Sequence, residues 1–133
     1  MALVRRHASD WFEVDMDRDA HRVVVRRLPP LFRSQADAEL ACTPVLDVLD
    51  AIDRTTHTLL MDVRLARGVN DPEYEAWYAP LRREIVRDFR RVAIVVRSAS
   101  GRLQAQRLAS ADRDDGFRVF DDLARAERYL DGT

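Results

Sequence analysis

Three aspartates at alternate positions could bind a cation, because Asp15, Asp17 and Asp19 match the opening of a calcium-binding loop. The match fails further along the chain. The sixth position of such a loop requires glycine and is Ala20, and the twelfth requires a bidentate glutamate and is Arg26. We therefore interpret the three aspartates as part of a solvated hairpin turn.

Nucleophilic and basic side chains are present, but their spacing does not predict catalysis. Ser98 and Ser100 follow a predicted strand, yet the sequence RSASG is not the G-x-S-x-G motif of a nucleophile elbow. His57 is predicted at the opposite end of the sheet, beyond the hydrogen-bond reach that a dyad requires. Cys42 lies among apolar residues of a predicted helix, which is typical of a buried, inert thiol. No nucleotide-binding glycine motif occurs. We expect no enzymatic activity, no metal site and no cofactor.

Arginines cluster where an open α/β sheet would bind a ligand, beyond the carboxyl ends of its strands. Residues 64–71 and 97–102 are predicted to meet there, and both segments lead into helix N-termini, which favour anions. The candidate binding residues are Arg64, Arg67, Asn70, Asp71, Tyr74, Ser98, Ser100 and Arg102. The alternative is that these arginines only pair with neighbouring carboxylates at the surface.

Length and composition limit the class of protein. The chain has 133 residues, which suits one domain, and its 22 basic and 23 acidic side chains leave a net charge of −1. This balance disfavours a nucleic-acid binder. One cysteine excludes a disulfide framework. The N-terminus lacks a signal-peptide pattern and no apolar run reaches the length of a membrane span, so we expect a cytoplasmic protein.

The elements that would position these residues alternate between strands and helices. The first half of the chain is predicted to hold a loose N-terminus over 1–10, strands over Trp11–Asp15 and His21–Leu28, and a helix capped by Ser34 that kinks or restarts at Pro44. A strand over Thr58–Val63, a helix from Asp71 and Pro72, and a strand over Val92–Val96 are predicted next. The last predicted elements are a helix from Ser98 or Ser100 to Ala111, a turn over Asp112–Gly116, a strand over Phe117–Phe120 and a helix capped by Asp121 or Asp122. The order β-β-α-β-α-β-α-β-α predicts a mixed, mostly parallel five-stranded α/β sheet with an antiparallel edge. Whether helices cover one face or both stays open.

Four segments of the sequence carry a resemblance to a known family. They are LLMDVR, RGVNDPEYEAWYAPLRREI, FRRVAIVVRSASGRLQ and FRVFDDLARAERYL. With the element order, they resemble the SpoIIAA-like domains of the STAS superfamily of anti-sigma-factor antagonists, in their short stand-alone bacterial form. The resemblance extends from about Trp11 to Leu130. It implies a single STAS-like domain over residues 11–133.

The resemblance also implies a way of working. Antagonists of this superfamily bind a kinase-type anti-sigma partner and are released by phosphorylation of one serine. That serine lies in an Asp-Ser-Ser-Gly type motif at the start of the helix after the strand that matches Thr58–Val63. The matching stretch here, Gly68–Pro72, contains neither serine nor threonine. This phosphorylation switch is therefore not expected in the present chain. Asp71 could supply a permanent negative charge instead, although its position as a helix N-cap explains it equally well.

Two hypotheses for function remain open. The first is a non-catalytic regulatory or protein-interaction module. Its contact surface would be the loop after Thr58–Val63 and the following helix. Its partner would be a protein, for example an anti-sigma or kinase-type regulator. The alternative is a small-ligand-binding domain. It would take an anion at the arginine-flanked helix ends, or a lipid or other apolar ligand under the stripe formed by Tyr74, Trp77 and Tyr78. In either case we expect a monomer or weak dimer.

Overall fold

Six strands form one sheet in the computed structural model, which describes residues 3–98, 103 and 117–132. In spatial order, which is also chain order, the strands are β1 (Leu3–Ala8), β2 (Phe12–Asp17), β3 (Arg22–Arg27), β4 (Thr58–Asp62), β5 (Arg91–Val95) and β6 (Phe117–Phe120). The pairs β1–β2 and β2–β3 are antiparallel, and the pairs β3–β4, β4–β5 and β5–β6 are parallel. The mixed, mostly parallel α/β sheet predicted from the sequence is confirmed.

The sheet has one strand more than the five predicted. β1 occupies most of the segment that was expected to be loose, and it pairs with β2 at the edge of the sheet. Its side chains are mostly exposed, and the pairing register shifts between Arg5 and His7. A register shift interrupts the alternation of apolar and polar residues by which a strand is recognised. The sequence pattern therefore conceals this strand.

The β2–β3 hairpin turns where it was predicted. The Asp17 carboxylate accepts a hydrogen bond of 3.2 Å from the backbone N–H of Ala20, and His21 has a left-handed backbone with φ of 50°. The turn residues Arg18 to Ala20 are exposed. Asp15 and Asp17, however, are each only 7% exposed, so the expectation that they are solvated is wrong for these two side chains.

Three helices and one 3-10 turn have bounds that lie within the described residues. They are α1 (Gln35–Asp50), the 3-10 turn (Arg54–Thr56), α2 (Pro72–Val86) and α3 (Leu123–Asp131). Ser34, Asp71 and Asp122 are the N-caps, as predicted. Both α1 and α2 continue through an internal proline. A further helix was predicted from Ser98 or Ser100 to Ala111. The structure describes only Ser98 and Leu103 of that segment, and Leu103 is helical. The predicted turn over Asp112–Gly116 lies outside the described residues.

Helices cover both faces of the sheet. We call the face that carries α1 and α2 the first face and the face that carries α3 the second face. Val92 and Ile94 of β5 belong to the core of the first face, whereas Ala93 and Val95 belong to the core of the second. A strand that is buried on both sides has apolar residues at consecutive positions. This explains the uninterrupted apolar run in β5.

Candidate functional site

A cavity of about 400 Å³ opens at the carboxyl ends of β4 and β5, the edge where open α/β sheets bind ligands. Met61 and Ile94 line it from the first face of the sheet, and Tyr74 and Tyr78 line it from α2. Residues 63–64 and 66–69 line it from the connecting loop. The backbone N–H of Val63 donates 2.9 Å to the carbonyl of Val95, which joins the start of that loop to β5. We call residues 63–71 the β4–α2 loop.

The candidate binding residues from the sequence fall into three groups. Four of them line the cavity, namely Arg64, Arg67, Tyr74 and Ser98. Asn70 is exposed on the β4–α2 loop, and Asp71 accepts hydrogen bonds from the backbone of Glu73 and Tyr74 as the N-cap of α2. Ser100 and Arg102 lie outside the described residues.

Arg64 already has a carboxylate partner. Its Nε and Nη2 donate to Oδ1 and Oδ2 of Asp62 at 3.0 and 2.8 Å, and its backbone N–H donates to Oδ1 at 3.1 Å. Burial raises the pKa of Asp62, but the Arg64 hydrogen bonds and the Arg26 charge outweigh that effect and hold the pKa below its usual value. Arg64 therefore fixes the first turn of the loop, as the surface-pairing alternative predicted.

Further ion pairs connect Asp62 to charged side chains of β1, β2 and β3. Arg26 lies 3.5 Å from Asp62 and 3.0 Å from Glu13. Arg5 lies 2.9 Å from Glu13 and 2.6 Å from Asp15. The contacts run from the edge strand β1 across β2 and β3 to the end of β4. A network of ion pairs thus connects the start of the β4–α2 loop to the neighbouring strands of the sheet.

The outer part of the β4–α2 loop faces solvent. Leu65 is 52% exposed, and Arg67 and Asn70 are exposed beside it. The Arg67 guanidinium forms no hydrogen bond or ion pair with any residue that the structure describes. A Cβ atom added at Gly68 would meet no atom within 4 Å. The loop therefore presents an apolar side chain and a guanidinium that are both available for contact.

The aromatic stripe of α2 serves the core and the cavity together. The Tyr74 ring stacks on Phe32 at 6.2 Å and lies 4.5 Å from Trp77, measured between ring centroids. Tyr78 contacts the same Phe32 ring at 5.1 Å. These rings pack against the core of the first face, and Tyr74 and Tyr78 also line the cavity.

Sequence reasoning missed Arg27, which also lines the cavity. Arg27 is the last residue of β3 and lies on the first face with Val23 and Val25, since strand side chains alternate. It is 5% exposed. The alternation Val23, Val25, Arg27 is the signal that could have revealed it. Because Val24 between them is apolar too, the sequence did not show which face Arg27 occupies.

Nucleophilic and basic groups are not brought together among the described residues. His57 lies at the amino end of β4, with its ring 5.3 Å from that of His21, whereas Ser98 follows the opposite end of β5. Burial raises the pKa of Cys42 to about 11 against the lowering effect of Arg27, so the thiol stays protonated at neutral pH. No group of three or more potential metal ligands occurs in the described part of the chain.

Comparison with known proteins identifies the fold. No family model and no curated protein matches the sequence. The chain is similar to an uncharacterised protein of the DUF3478 family with a SpoIIAA-like fold from Shewanella loihica PV-4. The TM-score is 0.60 at 19% identity, over 97% of this chain and 92% of that chain. It is also similar to apo-SiaC from Pseudomonas aeruginosa, with a TM-score of 0.41 at 18% identity, over 90% of this chain and 98% of that chain.

The first of these likenesses confirms the SpoIIAA-like fold that the sequence resemblance predicted. The sheet, the helices of the first face and the β4–α2 loop thus form a SpoIIAA-like fold. Within the described ranges, none of the helices combines the length and the apolar composition that a membrane crossing requires.

Proposed function

We propose that this SpoIIAA-like domain is a non-catalytic regulatory module that binds a protein partner through the outer part of the β4–α2 loop. The observation that carries the proposal is the Arg67 guanidinium, which is exposed and has no partner among the described residues. It lies in the same loop as Leu65, which is 52% exposed. Arginine is enriched in protein interfaces and among their hot spots, and an exposed apolar side chain beside it adds area that binding would remove from water. The module acts in the cytoplasm as a monomer or weak dimer.

The firm base of the loop supports this role. At the start of the loop, Nε and Nη2 of Arg64 donate hydrogen bonds of 3.0 and 2.8 Å to the Asp62 carboxylate. At its other end, Asp71 is the N-cap of α2. A loop that is fixed at both ends loses little conformational entropy when a partner binds to it. The partner surface that complements Arg67 is acidic.

The chemistry of the site favours binding over catalysis. The one thiol is protonated at neutral pH. His57 precedes β4 whereas Ser98 follows β5, so the two side chains lie at opposite ends of neighbouring parallel strands. The stretch Gly68–Pro72 has no hydroxyl side chain, so we propose that partner binding is not controlled by phosphorylation within this stretch.

The test is capture of the partner by cross-linking. A photo-reactive amino acid at Asn70 is introduced into the protein in its native host, and adducts are identified by mass spectrometry. Arg67→Glu reverses the charge of the exposed guanidinium and should lower partner binding by at least about tenfold. Its stability should stay within about 0.5 kcal/mol of the parent, since the side chain is on the surface.

Arg125→Glu is the matched control, because Arg125 is exposed on α3 at the second face. It should retain the cross-linked adduct at the level of the parent. An adduct that survives Arg67→Glu unchanged, or the absence of any single stoichiometric adduct, would contradict the proposal.

A further inference from the structure

Arg27 is a buried charge for which the described residues supply no counterion. The residue is 5% exposed, and none of the carboxylates in the described ranges pairs with it. Nη1 donates to the backbone carbonyls of Leu28 and Trp11, and the guanidinium lies 4.2 Å above the Phe32 ring. The remaining donors, Nε and Nη2, have no hydrogen-bond partner in the described part of the chain.

Such an arrangement is costly unless another group completes it. A buried ion without a partner loses its hydration and gains no equivalent attraction in return. Two neighbouring groups could in principle ionise and compensate the charge, namely the thiol of Cys42 and the hydroxyl of Tyr78. Burial raises the pKa of Cys42 to about 11 and that of Tyr78 to about 12, so both stay neutral at pH 7.

The cavity beside Arg27 has room for the missing anion and for an apolar group attached to it. Its volume of about 400 Å³ lies within the range of about 300–1,000 Å³ found for small-molecule sites. Apolar lining residues include Met61, Val63, Val86, Ile94, Val96 and Phe117. Glu75 is the acidic residue of the lining. Its Oε1 lies 2.6 Å from Nη1 of Arg82 and forms an ion pair with it, although the angles at Oε1 are not those of a hydrogen bond.

We propose that the cavity binds a small monocarboxylate with an apolar body, and that Arg27 is the residue that anchors its carboxylate. The carboxylate accepts hydrogen bonds from Nε and Nη2 of Arg27 and from the Tyr78 hydroxyl, which has no hydrogen-bond partner among the described residues. The apolar body lies against the first face of the sheet, along Ile94 and Phe117. Arg67 of the partner surface also lines the cavity, but the carboxylate is anchored at Arg27 and Tyr78, so the proposal holds whether or not the surface at Arg67 binds a protein.

Charge and shape select a carboxylate over a phosphate. Arg27 supplies one positive charge, and the planar fork of a guanidinium matches the two oxygens of one carboxylate. A phosphate monoester carries between one and two negative charges at pH 7 and would place uncompensated charge in an apolar cavity. Arg64 and Arg82 do not supply that extra charge, since each is already paired with a carboxylate. Arg67 and Arg97 also line the cavity, but both are exposed to solvent, so of the lining arginines Arg27 supplies the buried charge that lacks a carboxylate partner among the described residues.

Isothermal titration calorimetry with decanoic acid and decan-1-ol tests the proposal on the whole chain. Both probes have the same apolar body, and the acid alone carries a charge. The parent should bind decanoate at one site per chain, and decanol more weakly. Arg27→Met keeps a chain of similar length without charge or donors, and it should weaken decanoate by about tenfold to a hundredfold while leaving decanol unchanged.

Two further variants keep the test decisive if Arg27→Met folds poorly. Tyr78→Phe removes one hydroxyl and nothing else, and should weaken decanoate by about threefold to tenfold. Arg125→Met, on the exposed side of α3, removes an arginine far from the cavity and should bind both probes as the parent does. The proposal is overturned if the parent binds decanol as tightly as decanoate. It is equally overturned if decanoate does not bind, or if it binds to Arg27→Met and Tyr78→Phe as it does to the parent.

Discussion

Two arginines with the same burial lie at opposite edges of the sheet and have different surroundings. Arg54 and Arg27 are each 5% exposed. Arg54 lies just before β4, at the amino ends of the parallel strands, which we call the amino edge; the opposite ends are the carboxyl edge. Its Nη2 donates to Asp50, and its Nη1 donates to three backbone carbonyls at the end of α2, those of Glu84, Ile85 and Arg87. At the carboxyl edge, Arg27 has two backbone carbonyls and no carboxylate among the described residues.

The difference separates a structural role from a binding role. The carbonyls that end a helix need donors, and Arg54 supplies them while it joins the ends of α1 and α2. Arg54 thus contacts groups that the fold itself leaves unsatisfied. Arg27 leaves two donors without a partner beside a cavity of about 400 Å³. Arg54 leaves its Nε without a hydrogen-bond partner among the described residues, but it has a carboxylate partner in Asp50, which Arg27 lacks in the same part of the chain. Burial alone therefore does not show what an arginine does, whereas the presence of a carboxylate partner does.

The largest effect is expected at the amino edge. Arg54→Met removes the donors to the end of α2 and should lower the free energy of unfolding by about 2–4 kcal/mol, because buried carbonyls lose charged hydrogen-bond partners. Urea unfolding at pH 7 measures this loss. Arg27→Met is the matched variant and should cost less than about 1 kcal/mol, since replacing a buried charge by an apolar group is often neutral. Equal losses for the two variants would remove the distinction between the two edges.

An intermediate effect is expected at Asp62, a carboxylate at the carboxyl edge that does have its counterions. Asp62→Asn keeps the shape and removes the charge that Arg64 and Arg26 face, so the free energy of unfolding should fall by about 1–3 kcal/mol at pH 7. Asp47→Asn, at an exposed position of α1, is the control and should stay within about 0.5 kcal/mol.

The loss at Asp62 should also depend on pH. The folded pKa of Asp62 lies below its unfolded value, so its charge stabilises the fold above an unfolded pKa of about 3.9. That contribution disappears as the pH falls through the folded pKa. The difference between the parent and Asp62→Asn should be full at pH 7 and should shrink below about pH 4. A difference that is the same at pH 7 and pH 3 would show that the ion pairs do not contribute.

The smallest effect is expected at Gly68, in the loop that lines the cavity. A Cβ atom there meets nothing within 4 Å, and no left-handed φ is recorded for this glycine. Gly68→Ala should therefore leave stability unchanged or raise it by up to about 1 kcal/mol, because alanine restricts the unfolded chain. Thermal unfolding followed by circular dichroism measures the change. A clear loss of stability would mean that the loop is packed more tightly than its open surroundings indicate.

Local sequence signals were sufficient for most of the elements. Ser34, Asp71 and Asp122 cap helices in the structure as their positions predicted, because an N-cap needs one side chain and the next few backbone N–H groups. The apolar run over Val92–Val96 predicted a strand, which the structure confirms as β5 (Arg91–Val95), and the two cores decide the open question of coverage in favour of both faces. β1 was missed, since an edge strand with a register shift has no regular pattern.

Whether a charged side chain has a partner was decided only by the tertiary structure. The sequence placed Arg64 two residues from Asp62 and left open whether it was paired, and it gave no warning that Arg27 had no carboxylate near it. Cys42, Tyr78 and Phe32 come to surround Arg27 from distant parts of the chain. Propensities and caps act over a few neighbouring residues, so the sequence reports them directly. Compensation of charge acts through space between segments that only folding brings together, and it therefore leaves no local pattern in the sequence.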